Sequence, residues 1–502
     1  MELFIALLPA LVMITLVIIT RKVLISLSVG VILAAFIHAN YDPIEAIIYI
    51  WNSFLGIITD FGWYVPILGF VVIIGGITSI IALIGGVKAF AHWVVSKVKN
   101  PVSAQLLTWF LGIVIMIDDY FNALVIGEVS KPVTDEYNVS RAKLAYLIDS
   151  TSAPVVILMP FSTWGAYIIG LIGALFVDSN YTAKSGFAGF VSAIPYQFYP
   201  ITALIMVFLV VKFGILFGPM KKFEEESQQG NDISKHDAEE KIDHIEGKKA
   251  THWTLILPVL LLVVTTFFMM LVSAGFQFSA IMEQEITVPL LIGGIAAFIL
   301  SLIFAFMDKN VKPKSILKVS GLGMFEMLKS AVVILILAWM VSNAIQDLGT
   351  GELIADMVAN SNIRASLMPL ILFFIAGAMA FATGTSWGSF GILLPIAIPI
   401  AMSTDVTFMP AIIAAVLGGA VFGDHASPVS DTTVLSATGA RSTLHAHFIS
   451  QLPYTALAAL IASLAYLAYG LTHSIIAGYL VVIVLLFVFT KFWNKIFIKS
   501  HK

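Results

Sequence analysis

Apolar runs long enough to cross a bilayer recur from one end of this 502-residue sequence to the other. Clear runs lie near residues 4–20, 23–38, 64–85, 187–217, 252–274, 287–306, 325–346, 449–470 and 474–494. A hydrocarbon core about 30 Å thick takes roughly 20 helical residues to cross. It offers no water to backbone N–H and C=O groups, so each run must close its hydrogen bonds within its own helix. The composition agrees: 59% of residues are hydrophobic and 11% charged, against about half and a quarter in soluble domains. These features imply an all-α polytopic membrane protein whose solvent is lipid. Phe4 to Thr20 is followed by Arg21-Lys22 and another span, with no small-residue cleavage pattern, so it reads as a transmembrane helix rather than a signal peptide.

Two stretches, 141–177 and 410–445, are too long for one simple helix and carry polar breaks. Two others, 103–136 and 366–403, are paired shorter segments around a polar tip and read as re-entrant hairpins. With the hairpins not counted as crossings, about eleven transmembrane helices are expected. Basic residues are retained in the cytoplasm. With the N-terminus outside and the C-terminus inside, only Lys184 and Arg364 of the 27 Lys and Arg residues fall outside. That is the orientation expected of a multi-pass protein of the plasma membrane. The stretch from Lys221 to Thr251 is rich in Glu, Asp, Lys and Gln and is expected to be a solvated, disordered cytoplasmic linker.

The halves repeat. ALIGGVKAFAHWV at 82–94 aligns with QDLGTGELIADMV at 346–358, sharing Gly85/Gly349, Ala91/Ala355 and Val94/Val358. ALLPA at 6–10 opens the first half as LILPV at 255–259 opens the second, and DSTSAP at 149–154 parallels DHASP at 424–428. An odd number of crossings, five, separates equivalent points, so the second copy is inverted, an architecture that puts sites where broken helices meet near the midplane. The expected division is a first inverted repeat at 1–217, a cytoplasmic polar linker at 218–251, a second inverted repeat at 252–470, and a C-terminal transmembrane helix with a basic tail at 471–502.

A charged side chain at the bilayer centre costs about 3 kcal/mol or more, which makes intramembrane ionisable groups functional candidates. Asp118 and Asp119, followed by Asn122, fall at the turn of the first hairpin; the plain alternative is a hydrated loop with capping aspartates. Asp149-Ser150-Thr151-Ser152-Ala153-Pro154 is expected to unwind, because proline removes a backbone donor and hydroxyls compete for backbone groups. The freed carbonyls would then ligate a cation; the alternative is a proline kink with Asp149 as a cap. In the second half the hairpin tip runs from Thr383 to Ser389, and the break from Gly423 to Thr433. Asp424 and Asp431 stand seven apart, near one face if the helix ran on. His425 could carry a proton, although a lone histidine in such a loop is more often a hydrogen-bonding group. Glu128 with Lys131 reads as a helix-surface pair, and Asp347, Glu352 and Asp356 as outer-surface residues.

With no cysteine, disulfides and metal–thiolate sites are excluded. No GxxxxGK[ST] loop and no nucleophile–base pattern occurs, so neither ATP-driven transport nor an enzyme is expected. No cofactor and no nucleic-acid partner is expected either.

IDDYFNALVIG at 117–127, DSTSAPVVILMPFSTWG at 149–165, FATGTSWGSFGILLPIAIPI at 381–400 and VFGDHASPVSDTTVLSATGA at 421–440 resemble the NhaC family of Na+/H+ antiporters. The resemblance covers nearly the whole chain outside 221–251. It implies a scaffold and a mobile transport domain carrying the hairpins, moving elevator-fashion, as a homodimer. It leaves the cargo open, because families of this type include malate–lactate exchangers. The first expectation is secondary antiport, with Na+ and H+ competing for buried carboxylates by alternating access, since burial penalises the charged form of a carboxylate. Asp118, Asp119, Asp149, Asp424 and Asp431 are the candidate carriers, and Ser152, Thr385, Ser386, Ser427 and Thr432 the neutral ligands. Asn122, Ser150, Thr151, Thr383 and His425 complete the candidate ion- or substrate-binding set, and Na+ is assigned to Asp119, Ser152, Thr385, Asp424 and Asp431. The alternative is a Na+- or H+-coupled exchanger of a small organic solute: a malate- or lactate-like carboxylate, an amino acid or an amine.

Overall fold

The computed structural model describes residues 2–500 apart from 21, 96–97, 180, 182, 236–246, 248, 349–363 and 429. Among the described residues the chain is built from helices with no strand, and an isolated backbone bridge joins Lys235 to Ser442. Among the described residues, seven helices are long and apolar enough to cross a membrane: Tyr64–Leu83, Trp253–Ser273, Thr287–Met307, Ala365–Thr383, Ser386–Thr404, Val406–His425 and Leu444–Thr472. Gly186–Tyr196 and Phe198–Phe213, bent by 49°, make an eighth together. The protein is therefore an all-α multi-pass membrane protein. Other runs counted from the sequence form helices such as Val23–His38 and Thr163–Asp178, each of 16 residues and short for a straight crossing. The helix Pro43–Thr59 did not read as a span because Glu45, Asn52 and Ser53 interrupt it; Asp42 starts it by accepting from Ile44 and Glu45 N–H ahead of Pro43.

Two sets of elements, in the same order, position the site. The first is a hairpin, Pro101–Val114 and Asp119–Glu136, then a broken helix, Arg141–Val156 and Thr163–Asp178. The second is a hairpin, Met368–Thr383 and Ser386–Thr404, then a broken helix, Met409–His425 and Asp431–Ala440. Side-chain caps start these helices: Asn100 with Ser103 as a reciprocal capping box, and Asp118, Ser140, Ser162 and Ser430 accepting from N–H groups one turn on. Glycines allow close approach both between the sets and within one. A Cβ on Gly127 would sit 2.3 Å from the backbone of Gly439 in the other set, and one on Gly423 would sit 2.1 Å from the carbonyl oxygen of Gly377 in its own.

Four expectations change. Asp149–Pro154 does not unwind: Arg141–Val156 is helical throughout, and the break comes at residues 157–162. Pro154 stands two residues from the helix end, where a missing N–H costs a single bond, while Pro160 and the Ser162 cap supply the stop and restart. The second hairpin tip is shorter than the polar run: Gly384, at φ 70°, and Thr385 alone are non-helical, and Ser386–Ser389 form the first turn of the next helix. One helix runs to His425 and the next starts at Asp431, so Asp424 lies at the end of the first and Asp431 at the start of the second. They do not share a helix face.

The polar linker is structured over its first part. Pro219–Gln228 is a helix that buries Met220, Phe223, Glu224 and Ser227. The Glu224 carboxylate accepts from the Ser140 N–H and hydroxyl and pairs with Lys143 at 3.2 Å, each side chain 4% exposed. Arg141 N–H donates to Asp232 and Ala142 N–H to Ser234, and Thr443 N–H donates to the Ser234 carbonyl. Composition marked the stretch as solvated because it counts charges without seeing that Glu224 and Asp232 are spent on the buried N-terminus of Arg141–Val156. Residues 236–246 lie outside the described residues, as do Gly349, Ala355 and Val358 of the second repeat alignment.

Candidate functional site

Both hairpin tips and both breaks converge. Asp118 caps its helix, accepting from Phe121 N–H at 3.0 Å, and its other oxygen accepts from Thr163 Oγ1 at 3.0 Å. Asp119, 1% exposed, accepts from Trp164 Nε1 at 2.9 Å through Oδ1. Its Oδ2 is buried without a hydrogen-bond partner. Asn122 donates to the carbonyls of Gly112 and Ile115, closing the end of the first arm. Ser152 donates to the Asp119 carbonyl at 3.2 Å. Both arms of the first broken helix thus grip the first tip, Ser152 from before the break and Thr163 and Trp164 from after it.

The second half is built differently. Asp424, 3% exposed, accepts from Ser386 Oγ at 2.7 Å and from Ser386 N–H at 3.3 Å on one oxygen, and from Ser430 Oγ on the other. Thr432 lies 2.9 Å from Ser430 Oγ. Asp431 is exposed and accepts from Tyr120 Oη at 2.7 Å. Tyr120 also lies within electrostatic reach of Asp119 and Asp424. Trp164 joins the tips, stacking edge-on against Trp387 at 5.9 Å while holding Asp119.

A third cluster sits beside these. Asp149 Oδ2 accepts from Gln451 Nε2 at 2.6 Å and lies 3.2 Å from His447 Nε2. His425 stands 3.0 Å from Ser150 Oγ through Nε2 and 2.9 Å from Tyr199 Oη through Nδ1, and its carbonyl accepts from Gln451.

The remaining candidates turn elsewhere. Thr151 bonds the Leu147 carbonyl of its own helix, Thr383 that of Ala380, and Ser427 that of Phe381 across the helix pair. Thr385 occupies a cap position without a capping side-chain bond. Lys131 is buried, not at a helix surface, because its helix packs against neighbours on several sides; the Glu128 side chain lies outside the described ones. Among the described residues, no three His, Asp or Glu side chains stand close enough to hold a metal ion together. The set assigned to Na+ is therefore not assembled in this conformation: the Ser152 hydroxyl is engaged by a carbonyl and Asp431 is exposed.

Sequence reasoning missed Thr163, Trp164, Tyr120, Tyr199, Ser430, His447 and Gln451. His447 and Gln451, four apart in a long apolar helix, carried the same signal as the aspartates. The aromatic and hydroxyl partners had none, since such residues are ordinary in lipid-embedded helices.

The sequence pattern of the Na+/H+ antiporter family matches residues 155–471, which include the second hairpin and the second broken helix. The chain belongs to that family. An uncharacterized protein of Haemophilus influenzae is 37% identical over 484 residues, 94% of this chain and 92% of its own length. The Malate-2H(+)/Na(+)-lactate antiporter of Bacillus subtilis is 38% identical over 85 residues, 17% of this chain. The solved YdaH transporter of Alcanivorax borkumensis superposes with a TM-score of 0.58 over 85% of this chain and 89% of its own, at 12% identity, a likeness of fold alone. Members of this family are transporters, and this protein is one.

Proposed function

We propose that the protein is a secondary antiporter exchanging Na+ for H+ across the cell membrane by alternating access. The observation that carries this reading is Asp119: a buried carboxylate with one oxygen held by Trp164 and the other open. An ionised carboxylate away from water is costly unless a cation or a proton joins it. Asp424, already holding hydroxyl and N–H donors, is a second oxygen ligand within electrostatic reach of the first. Sodium, a hard cation, would draw these two together with Ser152, Thr385 and Asp431 once the tips close.

The matching order of hairpin and broken helix in the two halves supports inverted repeats, at 1–217 and 252–470, with about eleven crossings, an external N-terminus and a cytoplasmic C-terminus. On this reading the hairpins and broken helices form the moving unit of an elevator, in a homodimer. A second reading keeps the fold and changes the cargo to a small organic carboxylate, amino acid or amine. The short match to the malate–lactate antiporter and the aromatic wall of Trp164, Tyr167, Trp387 and Phe390 favour it.

Proteoliposomes separate the two. Under the first reading an imposed Na+ gradient moves protons with no organic solute present. Sodium or proton flux that appears only when malate, lactate or an amino acid is added would reject it in favour of the second.

A further inference from the structure

We infer that the exchanged proton is held by a buried Asp149–His447 pair, apart from the Asp119–Asp424 sodium site. The inference rests on the Na+/H+ reading and deepens it.

The pair is a built site. Asp149, His447 and Gln451 are bonded to one another, and none is more than 1% exposed. Each nonetheless keeps a buried atom without a hydrogen-bond partner: Asp149 Oδ1, His447 Nδ1 and Gln451 Oε1. Buried polar atoms are nearly always paired, so three buried, unpaired atoms on three linked side chains mark a place where a further group binds.

The donor set selects which guest. Sodium favours a shell of oxygens, and this cluster offers one carboxylate, one amide oxygen and an imidazole nitrogen. A proton needs only one acceptor. A carboxylate accepts hydrogen bonds, so with Asp149 ionised His447 carries its hydrogen on Nε2 and leaves Nδ1 free as a base. On loading, one proton from the aqueous side forms an N–H bond at Nδ1, and the pair passes from a net charge of minus one to zero. On unloading, that same N–H bond breaks and the proton leaves on the other side. No other bond changes.

The surroundings suit this role. His447 faces Asp149 of Arg141–Val156, and Asp149 lies within electrostatic reach of His425 and Asp424 on Met409–His425 and of Tyr199 on Phe198–Phe213. Thr433 Oγ1, on Asp431–Ala440, lies 3.5 Å from Asp149 Oδ2. The charged pair Lys143–Glu224 sits lower on the Asp149 helix and is already neutralised. Met368–Thr383 brings no titratable group, and Ile475–Ser500 carries Lys491 exposed over Phe487. Gln451 is a positioning residue, donating to both Asp149 and the His425 carbonyl. Coupling has a physical route, because Ser152, three residues beyond Asp149, is bonded to the Asp119 backbone.

The test uses full-length protein in liposomes and radiolabelled sodium in two modes: Na+/Na+ exchange at equal pH, and Na+ uptake driven by a pH gradient. In His447→Gln the first mode is expected within about twofold of wild type and the second to fall by about tenfold or more, with its pH dependence flattened. His447→Asn is expected to show the same split, and it carries the test if His447→Gln does not reach the membrane. Wild-type pH-driven uptake in His447→Gln overturns the inference. Loss of both modes in both variants, through function or through folding, also overturns it, because the pair would then belong to the sodium site or to the scaffold. A wild-type protein that moves no sodium down a pH gradient rejects the exchange reading itself, a result distinct from either.

Discussion

The two halves of the site put opposite chemistry on matching elements. In the first, the hairpin tip brings the carboxylates Asp118 and Asp119, and the restarting half-helix brings the donors Thr163 and Trp164. In the second, the broken helix brings the carboxylate Asp424 and the hairpin brings the donor Ser386. The backbone device is the same in each: a helix start at the tip, and a serine-capped restart after a break. What the comparison teaches is that this device is indifferent to which partner carries the charge, provided that each buried carboxylate meets a donor from the other element.

The halves also differ in anchorage. The first broken helix begins at Ser140, which is tied to the connector by the buried Lys143–Glu224 pair. The second begins just after Asp405, which accepts from the N–H and hydroxyl of Thr407.

The largest expected effect separates neighbouring aspartates. Asp119→Asn and Asp424→Asn should each abolish sodium-driven proton movement in vesicles. Asp118→Asn should retain it, because asparagine caps a helix about as well as aspartate. If Asp118→Asn were as damaging, Asp118 would be more than a cap and the contrast within the tip would fail.

Anchorage comes next. Glu224→Ala leaves a buried ammonium without its partner and should cost about 3–5 kcal/mol of stability, read as a lowered thermal midpoint in detergent. Asp405→Ala should cost far less. Hydrogen bonds from Thr407 hold the Asp405 carboxyl below the usual carboxylate range. Its contribution is therefore complete above about pH 4 and fades as pH falls through the lower, folded-state value. Comparable midpoints for the two variants would remove the difference between the halves.

The smallest effect tests the donors. Ser386→Ala should weaken apparent Na+ affinity by about tenfold, the range for outer partners of a ligating group. Thr163→Ala, whose partner Asp118 also caps a helix, should weaken it by less than about threefold. Equal losses would make the two carboxylate–hydroxyl pairs equivalent.

The helical, membrane-spanning character was legible because the bilayer imposes it on any long apolar run. The positions of both tips and of the second break were legible to within a few residues, since Asp118, Gly384 and Ser430 mark them; the first break was not, because it falls at 157–162, beyond the helical Asp149–Pro154. The extent of unwinding was not. Ser150, Thr151 and Pro154 look like a break in one dimension, but packing on all sides of Arg141–Val156 keeps it helical. Nor did charge content reveal that Glu224 and Asp232 dock on the start of that helix.

By itself, then, the sequence determined the solvent, the helical class, the family and the acidic residues placed within apolar stretches, because each follows from local composition and pattern. Tertiary structure alone decided which oxygen of each carboxylate is paired, that Trp164 links two distant tips, and that His447 meets Asp149 across 298 positions of chain. Those facts depend on which helix faces approach, and close packing settles that through contacts that no stretch of neighbouring residues encodes.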